Sequence, residues 1–262
     1  MAKLADIVFT LDTTGSMDFA IEAMKRTITQ LADIYLEARI DTRLGIIQFR
    51  DRVNFGESDS GNPTLQRESF GGVGFTSDPK EFRDAVSWYT AAGGGPTPES
   101  SFDALALASR SEWRDETNRI IIHITDAMPH LPDREVRNVE SLIDMLSEAY
   151  IDQLHFIVPE SDMDQFESLT EVKSDGITGD RFAICSWTSI EDDVEDIIEK
   201  LRKIAKTSSG SVVDKAELIS RDDFIDSDLE ENPFDAADKG SSDDDDLGDD
   251  KLGSVNPFDD LD

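Results

Sequence analysis

Residues 5–17 read Ala-Asp-Ile-Val-Phe-Thr-Leu-Asp-Thr-Thr-Gly-Ser-Met. The first seven, Ala5 to Leu11, are short, mostly apolar and rich in β-formers, the profile of a strand buried on both faces. The run stops at Asp12. Beyond it Ala20, Met24, Ile28, Leu31, Tyr35 and Ala38 recur every three or four positions, which predicts one face of a long amphipathic helix.

The same unit repeats down the chain. Leu44 to Phe49 and Ile120 to Thr125 predict further strands, and the second again ends at an aspartate, Asp126. Phe70 to Phe75 reads as a short edge strand, with helices near 79–90 and 98–110, the latter carrying Pro98 in its first turn. Val136, Val139, Ile143, Leu146 and Tyr150 mark another helix. Leu154 to Val158 follows as a strand, then a helix near 162–172 and a last strand from Arg181 to Cys185. Ile190, Val194, Ile197, Leu201 and Ile204 give a final helix with Ser189 as its N-cap. This alternation predicts an α/β fold: a doubly wound, mostly parallel central sheet with helices on both faces, Rossmann-like in plan. Ligands of such sheets sit beyond the carboxyl ends of the strands.

Composition narrows the function. The 262 residues include 25 basic and 58 acidic ones, a net charge of −33. That excess argues against a grip on phosphate backbones, so no direct nucleic-acid binding is expected. Cys185 is the single cysteine, which rules out an intrachain disulfide framework and a cysteine zinc cluster. No apolar run approaches the length of a membrane span. Asp6 interrupts the place where a signal peptide would stay apolar, so the expected setting is cytoplasmic.

The charge is uneven. Asp214 to Asp262 hold 19 acidic and four basic residues, a net of −15 in 49 positions. Such a stretch buries too little apolar surface to offset its ordering entropy. Residues 1–206 are therefore expected to form the domain, and 207–262 a flexible linker and disordered acidic tail. Within that tail Asn232-Pro233-Phe234-Asp235 recurs as Asn256-Pro257-Phe258-Asp259, a pair of candidate docking motifs.

Asp12, Thr14 and Ser16 place three short oxygen-bearing side chains at alternate positions of one loop, with Gly15 permitting a tight turn. Such a set suits a hard cation, Mg²⁺ or Mn²⁺. These residues resemble the first motif, Asp-x-Ser-x-Ser, of the von Willebrand factor type A (vWA) domain with its metal-ion-dependent adhesion site (MIDAS), Thr14 standing for the usual first Ser. Asp126 in Ile124-Thr125-Asp126-Ala127 matches the family's strand-end Asp. The Gly-rich loop Gly93-Gly94-Gly95-Pro96-Thr97-Pro98-Glu99 matches the loop that carries the middle ligand. The Pro-Glu followed by Phe102-Asp103-Ala104, and Thr-Asp-Ala followed by His130, look most like the integrin β-subunit I-like version. There Glu99 would be the middle ligand; on the more general pattern Thr97 would be. The resemblance covers about residues 4–206.

The resemblance implies a divalent metal held by Asp12, Thr14, Ser16, Thr97 or Glu99, and Asp126, some of them through water. The expected function is a metal-dependent protein-binding module, an adaptor or regulatory subunit with no catalytic residues, that captures a partner's Asp or Glu. The acidic tail would be a second docking or autoinhibitory element. Intracellular vWA proteins of bacterial systems work beside an AAA+ ATPase, a protein kinase or a phosphatase, and the resemblance implies a partner of that kind.

Other readings explain less. Asp12 and Asp126 could cap the helices that follow them, and Ser16 could be an N-cap. The triple glycine lacks the Lys of a phosphate-binding loop. A Ser-His-Asp triad through Ser16 lacks the nucleophile elbow. A metal-dependent phosphohydrolase would need a basic clamp that the site region does not offer. The acidic tail alone could mimic nucleic acid for a basic partner.

Overall fold

Alternation along the apolar runs decides which residues face which layer, and the computed structural model, which describes residues 3–95, 97–174 and 181–214, realises it. Among the described residues six strands share one sheet. They are β1 (Lys3–Asp12), β2 (Ile40–Phe49), β3 (Leu65–Arg67), β4 (Asn118–Ile124), β5 (Gln153–Val158) and β6 (Ile184–Ser189). Their order is β6-β5-β4-β1-β2-β3. All neighbours run parallel except β3, which is antiparallel to β2. The order reverses between β1 and β4, so a crevice opens beyond the carboxyl ends of that pair.

The helices of eight residues or more are α1 (Asp18–Glu37), α2 (Pro79–Val86), α3 (Ser101–Ser109), α4 (Val139–Glu148) and α5 (Val194–Asp214). One face of the sheet packs Ile7, Phe9, Leu11, Ile120 and Ile122 against α1, α2 and α5. The other packs Val8, Ile121, Leu154 and Phe156 against α3 and α4. Each such side chain contributes about 1.5–3 kcal/mol when removed from water. The fold is the doubly wound α/β sheet expected. No helix among the described residues is long and apolar enough to cross a membrane.

Several boundaries differ from the expectation. The edge strand is Leu65–Arg67, while Phe70 and Val73 pair across a turn at Gly71 and Gly72. Helix α3 opens at Ser101, not at Pro98, because Glu99 is held extended: its N–H donates to Met128 O at 3.0 Å and its carbonyl accepts from His130 N at 2.8 Å. Val136 precedes α4, which Asn138 caps by accepting from Ser141 N at 2.8 Å. The stretch 162–172 breaks into short turns around Met163–Glu167.

The last sheet strand is Ile184–Ser189, and Arg181–Phe182 pairs instead with Lys173–Ser174. Ser189 ends that strand, and the residue that accepts from the first turn of α5 is Asp193, from Asp196 N at 2.8 Å. Helix α5 also runs to Asp214, past the boundary expected at Thr207, because Ser208, Ser209 and Val212 are buried. The acidic run Asp243–Asp246 and both Asn-Pro-Phe-Asp copies lie outside the described residues.

At the amino end of β1 the buried carboxylate of Asp6 is enclosed by two guanidinium groups. Arg43 donates from Nε and Nη2 at 2.9 and 2.6 Å, and Arg114 from its backbone N and Nε at 2.8 Å each. Arg114 also donates to the carbonyls of Ala5 and Asp41, tying the loop before β4 to the foot of the sheet. Removing one member of a buried pair leaves uncompensated charge behind. Asp6→Ala is therefore expected to lower the unfolding free energy by about 3–5 kcal/mol, read from urea midpoints at unchanged slope.

Candidate functional site

Asp12 is the last residue of β1 and is buried. Its Oδ1 accepts from Thr14 N at 2.9 Å and Thr14 Oγ1 at 2.8 Å, which folds the loop back on the strand end. Its Oδ2 accepts from Thr125 Oγ1, just past the end of β4, at 2.7 Å. One carboxylate thus laces together the two strand ends that flank the crevice. Burial pushes its pKa up to about 6 against the pull of these hydrogen bonds, and the charge of Asp126 adds to the rise.

Thr14 Oγ1 lies 3.4 Å from Ser16 Oγ, so the three alternate oxygens of the first motif gather at one spot with Ser16 exposed. Ser16 caps no helix: α1 begins at Asp18 after Met17, with no side-chain cap. The Gly-rich loop crosses directly above, Gly15 N donating to Gly93 O at 3.0 Å. Two of its glycines are required. Gly93 and Gly94 have φ of 68° and 79°. A Cβ on Gly93 would meet the Asp59 carboxylate at 2.0 Å, and one on Gly94 would meet Thr14 Cβ at 2.8 Å.

The two residues left open for the middle position part company here. Glu99 is buried, and its Oε2 has no hydrogen-bond partner. Its pKa is pushed up to about 9, by burial first and then by the charges of Asp12, Asp51, Asp126 and Asp59. Thr97 is exposed on the far side of a cis peptide to Pro98. Asp126, half-buried, contributes its charge to both Asp12 and Glu99.

Four further residues belong to this constellation and were not foreseen: Arg50, Asp51, Asp59 and Thr125. Arg50 is fully buried, donating from Nε to Thr13 O at 3.0 Å and from Nη2 to Thr90 O at 3.1 Å, while Nη1 lacks a partner. Burial lowers its pKa, and the charges of Asp59, Asp12 and Glu99 work the other way. Asp51 accepts from Asn54 N and from His130 Nε2. The rule that picked out Asp12 and Asp126, a carboxylate at the end of an apolar strand, also points to Asp51, two residues beyond β2.

Among the described residues no three His, Cys, Asp or Glu side chains form a group that could by themselves hold a metal. The donors gathered here are mixed, two hydroxyls with carboxylates. All are hard oxygens, and one buried acceptor is left unsatisfied in a strongly negative field. That chemistry fits a small hard divalent cation.

Of the three histidines, His130 is the one at the site, bonded to Asp51, and the other two are held inside the sheet. His123 Nδ1 lies 2.8 Å from Thr10 Oγ1, and burial lowers its pKa to about 3. His155 lies 2.6 Å from Ser186 Oγ, its pKa lowered by burial to about 4.

No family model matches the chain. Among solved structures it is similar to the pilus adhesin SpaC of Lactobacillus rhamnosus GG, with a TM-score of 0.53 and 13% identity over 79% of this chain and 31% of that one. It is also similar to a von Willebrand factor type A protein of Catenulispora acidiphila, with a TM-score of 0.50 and 14% identity over 79% of this chain and 43% of that one. The fold is of the vWA type. Among curated proteins the chain is 31% identical over 131 residues to the alpha-protein kinase vwkA of Dictyostelium discoideum, 49% of this chain and 19% of that protein. The chain thus spans less than half of each of these relatives.

The proton held by Glu99 carries a measurable consequence. With a folded pKa near 9 against an ordinary 4.5, the folded state keeps a proton that the unfolded state releases between those values. Stability therefore falls as pH rises through that window. In EDTA, wild-type urea midpoints should drop between about pH 6 and about pH 8.5, and Glu99→Gln should flatten the drop.

Proposed function

We propose that this chain is a metal-dependent protein-binding module, an adaptor or regulatory subunit and not a catalyst. The observation that carries this reading is Glu99: a buried carboxylate with an orphaned oxygen, facing the charges of Asp12 and Asp126. Burying such a group without compensation costs free energy, and a cation at that spot removes the cost. In this reading Asp12, Thr14, Ser16, Glu99 and Asp126 hold Mg²⁺ or Mn²⁺, directly or through water, with Thr97 outside the set. Carboxylates that repel one another stand apart until a cation draws them in. When bound, the ion supplies positive charge and an open coordination position for a carboxylate.

The chain's own part is positioning. Asp12 is fixed by three hydrogen bonds, so its oxygens need no reorganisation when the ion arrives. Arg50 partly offsets the acidic charge from below without reaching solvent. A clamp for phosphate would need an accessible guanidinium or ammonium, and a buried one argues for recognition in place of hydrolysis. The partner supplies an Asp or Glu. The stretch shared with a protein described as an alpha-protein kinase supports a portable module that works beside such an enzyme, ahead of the AAA+ ATPase or phosphatase also expected. A cytoplasmic setting fits the single Cys185, a free thiol.

Isothermal calorimetry with Mn²⁺ and Mg²⁺ tests this. Wild type should give a saturable heat, and Asp12→Ala should weaken binding more than about 100-fold with an unchanged circular dichroism spectrum. Equal heats for the two proteins, or none for wild type, would overturn the proposal.

A further inference from the structure

The two edges of the sheet are built differently. Edge strand β3 is three residues long and carries Arg67. Edge strand β6 is six residues long and holds neither a charge nor a proline, the devices that usually blunt an open strand edge. Ile184 N donates to Asp152 O and Ile190 N to Val158 O, each at 2.9 Å, so the even-numbered residues turn their backbone groups towards β5. By alternation Trp187 and Ser189 direct theirs away from the sheet. Among the described residues no hydrogen bond takes up the N–H or C=O of either. A groove of about 340 Å³ runs along this stretch, lined by Trp187, Thr188 and Ser189 in succession. Met163 and Trp187 wall it from the α3–α4 face of the sheet, and Asp196 and Glu199 of α5 wall it from the other. A groove walled from both faces follows the open edge of the strand.

We propose that the open edge of β6 takes an extended segment of a basic partner, added as a further strand, in which apolar residues alternate with Lys or Arg. The place is separate from the β1–β4 crevice, with β5 between, and the proposal needs no metal. Main-chain hydrogen bonds to Trp187 and Ser189 would hold any extended chain, so the choice of partner falls to side chains. In an added strand these point alternately to the two faces. On one face they meet Trp187 and Met163, which favours apolar groups. On the other they meet Asp196 and Glu199 in an acidic surround. The segments framing the groove, 160–164 and 190–199, carry three and six acidic residues and no basic one. Lys200 and Lys203 also line it, Lys200 paired with Asp196. Charge decides against the other occupants of a strand edge: at −33, a second copy of this chain or an acidic segment is repelled.

The probe is a labelled peptide of alternating Lys and Val, titrated into the full chain by fluorescence anisotropy in EDTA at about 150 mM salt. It should bind, and a peptide of the same composition with Lys and Val in separate blocks should bind about tenfold more weakly. Ser189→Pro removes an outward N–H and spares the β5 ladder, and should weaken the alternating peptide about tenfold. Glu160→Lys/Glu199→Lys reverses two exposed charges of the groove and should do the same. Should either variant lose its fold, the peptide side decides: N-methylating its lysines or its valines should abolish binding in one case and spare it in the other, since only one set faces β6. Equal affinity for the alternating and blocked peptides, for wild type and both variants, or for the two methylated sets overturns the added strand, as does no binding at all. A dimer in sedimentation that Ser189→Pro dissolves gives the edge to a second copy and overturns the basic occupant. None of these outcomes bears on the metal reading, because EDTA is present throughout.

Discussion

Five acidic side chains line the crevice where two parallel strands end, and one buried guanidinium faces them. Like charges in a partly desolvated setting repel strongly, since the low local polarisability that strengthens a good pair also magnifies a bad one. The protein holds this arrangement by hydrogen bonds. Asp12 is strapped by Thr14 and Thr125, and Asp59 accepts from Gly94 N at 2.5 Å. Arg50 reaches under both loops to Thr13 O and Thr90 O. Glu99 is the member left with an oxygen unsatisfied, and burial first, then the neighbouring charges, push its pKa up.

Behind these groups Asp103 ties the loops to one another. It accepts from Arg52 Nη1 at 2.5 Å, and from Glu135 N and Val136 N at 2.9 Å each. Arg52 N in turn donates to Ser100 Oγ at 2.9 Å. The loops after β2, before α3 and after β4 therefore share one buried node, as a site needs if its oxygens are to keep their places. Asp103 N also donates to Asp133 at 3.1 Å, and burial pushes the Asp133 carboxyl up to about 6.

The sheet was legible in the sequence because each of β1, β2, β4 and β5 is an apolar run with a helix-period stretch after it. Short pieces were not. Leu65–Arg67 is three residues with one hydrophobic among them, too little for any period to register, and Phe70 and Phe75 draw the eye because they are core residues on a turn. Pro98 looked like a helix start because proline suits the first turn, yet the hydrogen bonds of Glu99 to Met128 and His130 are tertiary and leave no local trace. At the site, Asp12, Thr14, Ser16 and Asp126 follow from spacing and strand ends. The preference proposed for Glu99 over Thr97 rests on burial, which a Gly-rich loop does not encode. Arg50 was invisible for a different reason: a charged residue next to an apolar strand reads as surface, and only packing shows it buried.

The two ends of β1 offer an internal comparison that bears on purpose. Asp6 and Asp12 are the same residue type on the same strand, both fully buried. Asp6 is enclosed by Arg43 and Arg114, a paired charge that folding retains for structure. Asp12 has hydroxyls and one backbone N–H about it and no guanidinium in contact, and its pKa climbs to about 6. Helix capping does not account for it either. The side chains that cap do so elsewhere: Asp51, Asp78 and Asn138 each accept from an N–H in the first turn they precede, while α1 has no side-chain cap. Arginine was thus available to this chain as a counter-charge at the foot of the strand, and the head of the strand is built without one at its exposed face. The cation proposed for this site would supply at the head of the strand the compensation that arginine supplies at its foot.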